Sequence, residues 1–224
     1  MTEPAATSPT ATRPAPDLAQ LGVDNRGALA IIDVDEVLGL FMQGFGAYLA
    51  TKGLEFRVER FALFQNIYRP GEREHLDIVT GRTHYDEYFR YGCGDMPLAE
   101  GGPAALAELA LSASIVILTN APGQARLARA RWLGRHGLDY PLLLNSGPKG
   151  PMVAAMARQV AGPVAFVDDL LSNLDSVAEH APGVSRFQSV ADQRLRPLAP
   201  TDRERHLRLD RWKDLGPAIA RALS

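Results

Sequence analysis

Short apolar runs recur along the chain, and each one stops abruptly at polar residues. The four clearest runs are 28–32, 114–118, 142–144 and 164–167. Continuous apolar runs of this length are typical of strands that are buried on both faces of a parallel sheet. Two later segments, 184–187 and 206–209, predict edge strands.

Stretches rich in alanine, leucine and arginine separate these runs and predict helices. They cover 103–113, 123–136 and 150–161, and a last helix is predicted over 212–223. Strands that alternate with helices predict βαβ units, and therefore an α/β fold with a Rossmann-like parallel sheet and helices on both faces. Such sheets place their functional sites at the carboxyl ends of the strands.

Two segments interrupt this alternation. Residues 1–25 are rich in proline, alanine and threonine and have little periodic apolar character, so we predict a disordered tail. Residues 41–98 carry many aromatic and charged side chains, and we predict a small, mostly helical cap that is inserted over the site. The remaining segments, 26–40 and 99–224, would form the core.

The polar residues after the strands form a candidate site. They are Asp33 and Asp35, Thr119 and Asn120, Lys149, and Asp168 and Asp169. Two aspartates that are two positions apart in extended chain point in the same general direction. One carboxylate can attack a phosphorus atom while the other donates a proton to the leaving oxygen and later activates water.

A phosphate ester brings negative charge towards a carboxylate nucleophile, so this chemistry needs a cation. Mg²⁺ is suitable because it binds a few carboxylates, waters and a phosphate oxygen. Asp33, Asp169 and the backbone carbonyl of Asp35 would supply the protein ligands. Lys149 would offset the remaining negative charge, and Thr119 with backbone amides near Asn120 would hold the phosphoryl oxygens.

These four motifs, each in order after an apolar run, resemble those of the haloacid dehalogenase superfamily. They are Asp-Val-Asp-Glu-Val-Leu from Asp33, Thr119-Asn120, Lys149 and Asp168-Asp169, and the resemblance covers about 28 to 190. It implies that Asp33 forms an aspartyl-phosphate and that Asp35 is the general acid and base. It also implies phosphoryl binding by Thr119, a steadying role for Lys149, magnesium binding by Asp169 with support from Asp168, and a cap in the slot that 41–98 occupies.

Two positions bear on the branch of this superfamily. Val37 stands where many of its phosphatases carry threonine, although valine occurs there in some members. Asp35 is the second aspartate that the dehalogenase branch lacks, because displacement of a halide requires no proton on the leaving group. The resemblance therefore favours phosphate chemistry.

Each motif also has an ordinary structural interpretation. The aspartates could be turn residues or helix caps, Thr119 and Asn120 could cap a helix, and Lys149 could be a solvated loop lysine. Four arginines in the helix over 123–136 could suggest a nucleic-acid surface, but a solvated helix face is favoured. They are Arg126, Arg129, Arg131 and Arg135.

Composition excludes several classes of protein. The chain has 24 basic and 26 acidic side chains, and its formal charge of −2 argues against a nucleic-acid partner. Its one cysteine, Cys93, cannot form an internal disulfide. The apolar runs are too short to cross a bilayer and no secretory pattern is present, so we expect a cytoplasmic protein.

The predicted function is a Mg²⁺-dependent phosphatase that acts on a small phosphorylated molecule. Three alternatives stay open at this point. The same motifs would serve a phosphotransferase or mutase, or a phosphonate hydrolase. A phosphonate hydrolase of this superfamily would be expected to use a lysine of the cap to form a Schiff base, and Lys52 is the only lysine within 41–98. A binding module without catalytic activity is the third alternative, although Asp33 and Asp169 are both retained.

Overall fold

A computed structural model describes residues 16–224. The main element of the fold is a parallel sheet of six strands. They are β1 (Ala28–Ile32), β4 (Ala113–Asn120), β5 (Leu142–Asn145), β6 (Val164–Asp168), β7 (Ser185–Gln188) and β8 (Leu207–Arg208). Their order across the sheet is β5-β4-β1-β6-β7-β8, with β1 near the centre. The predicted α/β class with a Rossmann-like parallel sheet is confirmed.

Helices cover both faces of this sheet. They are α3 (Gly102–Leu109), α4 (Arg126–Arg135), α5 (Gly150–Ala157), α6 (Leu171–His180) and α7 (Trp212–Ala222). Two earlier helices, α1 (Phe41–Thr51) and α2 (Ile78–Tyr91), belong to the segment 41–98. Alternate residues of β1 belong to different apolar clusters. Leu29 and Ile31 pack with residues of α5 and α6, whereas Ala30 and Ile32 belong to the cluster that contains residues of α3, α4 and α7.

The segment 41–98 contains α1, α2 and a small antiparallel pair formed by β2 (Glu55–Phe56) and β3 (Ile67–Tyr68). Aromatic rings hold it together: the ring centroids of Phe45 and Tyr88 are 5.3 Å apart, and those of Phe41 and Phe89 are 5.6 Å apart. These rings belong to the same apolar cluster as Trp132 of α4. That this segment acts as a cap stays a prediction.

The end of the predicted tail differs from expectation. Leu18 and Val23 are buried in the cluster formed with α5 and α6, and the backbone N–H of Leu18 donates to the side chain of Gln159 at 3.0 Å. Residues 16–25 therefore pack against the fold, because Leu18 and Val23 are buried with apolar residues of α5 and α6. Residues 1–15 of the predicted tail lie outside the described residues.

The element boundaries explain two further differences. Strand β4 extends through Asn120, so Thr119 and Asn120 are the last residues of the strand and do not follow it. Helix α3 ends at Leu109, before the predicted 113, because the chain must turn before β4 begins at Ala113. Within residues 16–224, none of the helices has the length and apolar character needed to span a membrane.

Candidate active site

Asp33 and Asp168 lie side by side at the carboxyl edge of the sheet. Because β1 and β6 are parallel neighbours in register, the residue after β1 is adjacent to the last residue of β6. The backbone N–H of Asp33 donates to the carbonyl of Val167 at 3.0 Å. Side-chain oxygens of Asp33, Asp168 and Asp169, all buried, lie within 4.8 Å of one another.

Lys149 joins two of these aspartates. It immediately precedes α5 and is completely buried, and its Nζ lies 2.7 Å from Oδ1 of Asp33 and 2.7 Å from Oδ2 of Asp168. The other oxygen of Asp168 accepts from the backbone N–H of Leu170 at 2.9 Å and from Nδ2 of Asn173 at 3.0 Å. Asp168 therefore fixes both the lysine and the start of α6.

The charges in this cluster do not balance. Three buried carboxylates face a single ammonium group. Burial raises the pKa of Asp33 to about 7, against the opposing effect of Lys149 and with a further increase from Asp168. Burial and the neighbouring Asp168 and Asp33 raise the pKa of Asp169 well above its usual range.

The pKa of Lys149 is also raised, and for this residue the increase favours the charged form. Burial alone would lower its pKa, but the carboxylates of Asp168 and Asp33 raise it above its usual value. The cluster thus sets one ammonium group against three carboxyl groups, and burial and crowding shift two of these, Asp33 and Asp169, towards their protonated forms. A divalent cation with a preference for oxygen ligands fits this donor set, which favours Mg²⁺ over softer metals.

Thr119 presents a polar atom without a protein partner. It lies in β4, which neighbours β1, two residues beyond the register partner of Ile32. The residue is completely buried, and its Oγ1 makes no hydrogen bond within residues 16–224. A buried hydroxyl without a partner costs free energy, so this one is available for a ligand oxygen.

The side chain of Asn120 is tied to the loop after β5, and the binding of phosphoryl oxygens near Asn120 stays a prediction. Its Nδ2 donates to the carbonyl of Gly147 at 3.0 Å, and its Oδ1 accepts from Nδ2 of Asn145 at 2.8 Å. Gly147 has a positive φ of 80°, which glycine adopts without strain. The side chain of Asn120 therefore braces the loop that leads to Lys149.

Asp35 lies at the edge of the cluster and pairs with Arg129 of α4. Oδ1 of Asp35 accepts from Nη2 of the arginine, and the aspartate side chain remains 22% exposed. Burial raises the pKa of Asp35, and the guanidinium of Arg129 opposes that increase. The structure thus brings together Asp33, Asp168, Asp169 and Lys149, with Thr119 on the neighbouring strand and Asp35 two residues beyond Asp33.

The prediction that the arginines of α4 lie on a solvated face is wrong for Arg129. This residue is completely buried, whereas Arg126, Arg131 and Arg135 are exposed. The signal was present in the spacing, because Arg129 shares one face of the helix with Ala125, Trp132 and Leu133, all of which are buried.

Comparisons with known proteins give structural likeness only. No protein-family model matches the chain, and no curated protein matches it by sequence. Among solved structures, a magnesium-bound HAD-hydrolase, YfnB from Bacillus subtilis, has a TM-score of 0.59 at 13% identity, with 87% of this chain and 99% of that chain covered. The chain has the haloacid dehalogenase-like fold.

Two further solved structures of similar size agree with it. A haloacid dehalogenase-like hydrolase from Streptococcus pneumoniae has a TM-score of 0.57 at 15% identity, and covers 87% of this chain and 99% of its own. A protein from Thermotoga maritima described as a β-phosphoglucomutase has a TM-score of 0.55 at 14% identity, with 88% and 100% covered. The haloacid dehalogenase-like fold therefore accounts for most of the chain.

Glu36, which directly follows Asp35, is a buried residue beside the candidate site that the sequence did not reveal. It adopts a φ of 58°, the only positive value among the non-glycine residues of 16–224. Its Oε1 accepts from the backbone N–H of Met42 at 2.7 Å, so it caps the start of α1 in place of Leu40. Burial raises the pKa of Glu36 to about 8.

Val37, the position compared above with a threonine of many phosphatases, packs in the apolar core. It is completely buried, and its carbonyl accepts a hydrogen bond from Nε1 of Trp212 at 3.0 Å. The position therefore attaches the turn after Asp35 to α7.

Proposed function

We propose that the protein is a Mg²⁺-dependent phosphatase that acts on a small phosphorylated molecule through an aspartyl-phosphate on Asp33. The observation that carries this proposal is the site of Asp33 itself. Its carboxylate lies beside a buried ammonium, that of Lys149, and two further buried carboxylates. They lie at the sheet edge, where the hydroxyl of Thr119 has no hydrogen-bond partner among residues 16–224.

The reaction would proceed in two steps. A carboxylate oxygen of Asp33 forms a bond to phosphorus while the bond to the leaving oxygen breaks, and Asp35 gives that oxygen a proton. Asp35 then takes a proton from water as the water oxygen attacks phosphorus and displaces Asp33, which releases inorganic phosphate. The Thr119 hydroxyl donates to a phosphoryl oxygen, and Lys149 restrains the nucleophile.

Mg²⁺ would be held by Asp33, Asp169 and the backbone carbonyl of Asp35. When bound, it neutralises charge on the phosphoryl group and on the clustered carboxylates. Asp168 supports the site through Lys149 and the start of α6. The magnesium-bound structure with the same fold from Bacillus subtilis supports this choice of metal.

A cleft lies next to the cluster. It is open, has a volume of about 1760 Å³, and is lined by Asn120, by Gly147 and by Tyr85 of α2. Asn120 directly follows Thr119, and Gly147 lies two residues before Lys149, but the carboxylates of the cluster do not line the cleft, so it adjoins the reacting groups and does not contain them. Its polar lining supports a small substrate whose phosphoryl group reaches the neighbouring cluster.

A mutase or phosphotransferase is the second candidate, because the Thermotoga maritima protein with this fold is described as a β-phosphoglucomutase. The two activities differ in the acceptor of the phosphoryl group, which is water for a phosphatase and a hydroxyl for a transferase. Phosphonate cleavage finds no such support: Lys52 is 42% exposed and lies 3.5 Å from Glu87.

The deciding experiment measures phosphate release from p-nitrophenyl phosphate and from a panel of phosphorylated metabolites, with MgCl₂ or with EDTA. Hydrolysis should require Mg²⁺, and Asp33→Asn should abolish it. Asp95→Asn is the matched control, because the Asp95 side chain is 91% exposed.

Two outcomes would contradict the proposal. Wild-type turnover by Asp33→Asn would exclude the aspartyl-phosphate mechanism. A folded wild-type protein that binds Mg²⁺ but hydrolyses nothing in the panel would favour the binding module, and transfer to an added alcohol without phosphate release would favour the transferase.

A further inference from the structure

Arg129 is a buried cation with an unusual set of neighbours. Its side chain is completely inaccessible to solvent. Of its donors, Nη2 donates to Oδ1 of Asp35, Nη1 lies 3.4 Å from Sδ of Met96, and Nε makes no hydrogen bond within residues 16–224. The rings of Phe89 and Phe41 lie 5.1 and 5.9 Å from its Cζ. Asp35 is thus its only anionic partner among the described residues.

Stability does not explain this arrangement. Removing a guanidinium from water costs several kcal/mol, and a single carboxylate rarely returns more than that cost. Among Met96 and the two phenylalanine rings, an apolar side chain would avoid that cost. The role of Arg129 is therefore to be found in its effect on Asp35, the aspartate at the edge of the cluster.

The geometry limits what Asp35 can do. A guanidinium is planar and donates in fixed directions, so a carboxylate paired with it loses rotational freedom. Arg129 is itself immobilised by the rings and the thioether around it. Because Oδ1 of Asp35 is engaged in the interior while the side chain is still 22% exposed, Oδ2 is the atom left for proton transfer.

We propose that Arg129 is a positioning residue for Asp35, which holds Oδ1 so that Oδ2 faces the leaving-group oxygen of the substrate. This inference rests on the proposed phosphatase function. It implies an enzyme adapted to phosphate esters of ordinary alcohols, whose leaving oxygen needs a proton, because aryl and acyl phosphates would gain little from a fixed acid.

The experiment compares kcat/KM for a series of alkyl and aryl phosphates whose leaving groups differ in acidity. This parameter reports the first phosphoryl transfer. Arg129→Met should lower kcat/KM for alkyl phosphates by about 100-fold, within the range typical of general acid catalysis, and for p-nitrophenyl phosphate by less than about 10-fold. Arg129→Lys keeps the charge without the planar fork and should give an intermediate loss. Arg131→Met, on the exposed side of the same helix, should leave the whole series unchanged.

A double-mutant cycle separates positioning from a general structural role. Once Asp35→Asn has removed the acid, adding Arg129→Met should lower kcat/KM by less than about 3-fold, because interacting residues are not additive. Asp35→Asn with Arg129→Met also removes both buried charges together, so it remains measurable if Arg129→Met alone does not fold. A full additional loss in the Asp35→Asn background would overturn the proposal.

Failure of this inference is distinguishable from failure of the proposed function. If Asp33→Asn abolishes hydrolysis but Arg129→Met and Arg129→Lys lower every substrate equally, the phosphatase stands and the positioning role is wrong. If Asp33→Asn hydrolyses p-nitrophenyl phosphate at the wild-type rate, the proposed function fails first and the inference fails with it.

Discussion

Lys149 and Asp168 form a completely buried ion pair, with Nζ of the lysine 2.7 Å from Oδ2 of the aspartate. The same ammonium lies 2.7 Å from Oδ1 of Asp33. One lysine therefore compensates two carboxylates, and Asp169 has no cation of its own within the described cluster. The carboxyl groups at this edge of the sheet outnumber the ammonium groups beside them, so a bound cation would be stabilised there.

Lys149→Met should destabilise the fold strongly. Removing one partner of a buried ion pair leaves an uncompensated charge, at a cost of about 3–5 kcal/mol, and here two carboxylates lose their partner. Urea unfolding in EDTA measures the change, and Lys213→Met, at an exposed lysine, is the control. A loss of less than about 1 kcal/mol would mean that the ion pairs of Lys149 with Asp33 and Asp168 contribute little to stability in the metal-free protein.

Asp169→Asn should change stability in opposite directions with and without metal. In EDTA the variant should be more stable than wild type, because a crowded buried carboxylate has been replaced by a neutral amide. Added MgCl₂ should raise the melting temperature of wild type by mass action but not that of the variant. Thermal unfolding in both conditions tests this, with Asp95→Asn as the control. An equal magnesium-induced shift in Asp169→Asn would remove this residue from the metal site.

Thr119→Val should lower activity without lowering stability. Valine has nearly the same shape, and the hydroxyl that it removes makes no hydrogen bond within residues 16–224. We expect kcat/KM to fall by about 10- to 100-fold, since one hydrogen bond to a charged phosphoryl oxygen contributes about 1.5–3 kcal/mol. The free energy of unfolding should stay within about 1 kcal/mol or increase. Thr119→Ser should keep most of the activity, and equal kcat/KM for Thr119→Val and wild type would exclude phosphoryl binding by this hydroxyl.

The sheet and its edge could be predicted because the end of each buried apolar run marks both the end of a strand and the position of the site. An apolar run buried on both faces must end where the chain reaches the edge of the sheet, so the first polar residue marks both. Asp33 and Asp168 illustrate this, since adjacent parallel strands bring them together. Lys149 followed from its place before a helix.

Features set by contacts distant in sequence were not predictable in the same way. Helical spacing places Arg129 on the buried face of α4, but its partners there, which are Asp35, Met96 and two aromatic rings, lie 33 to 94 residues away along the chain. Leu18 is similar, because its burial depends on α5 and α6, more than 100 residues later. The local sequence pattern identifies an element and its buried face. It does not identify the partners that other elements supply to a polar residue on that face.

Glu36→Gln should change the dependence of stability on pH. Burial raises the pKa of Glu36 from its ordinary 4.5 to about 8 in the folded protein, so the protonated form is favoured by folding. That contribution is fully present below about pH 4.5 and is lost as the pH rises through about 8. Glutamine cannot ionise and can still accept the hydrogen bond from Met42.

The free energy of unfolding of Glu36→Gln should therefore increase relative to wild type between pH 5 and pH 8, by a few kcal/mol at most, since one pKa unit corresponds to about 1.4 kcal/mol. Urea unfolding in EDTA at the two pH values measures the difference, and Glu108→Gln, at an exposed position of α3, is the control. A difference between Glu36→Gln and wild type that is the same at both pH values would show that Glu36 is already ionised in the folded protein. The cap of α1 would then depend on a charged carboxylate beside Asp35, and the burial of Glu36 would add to the negative charge that the site must neutralise.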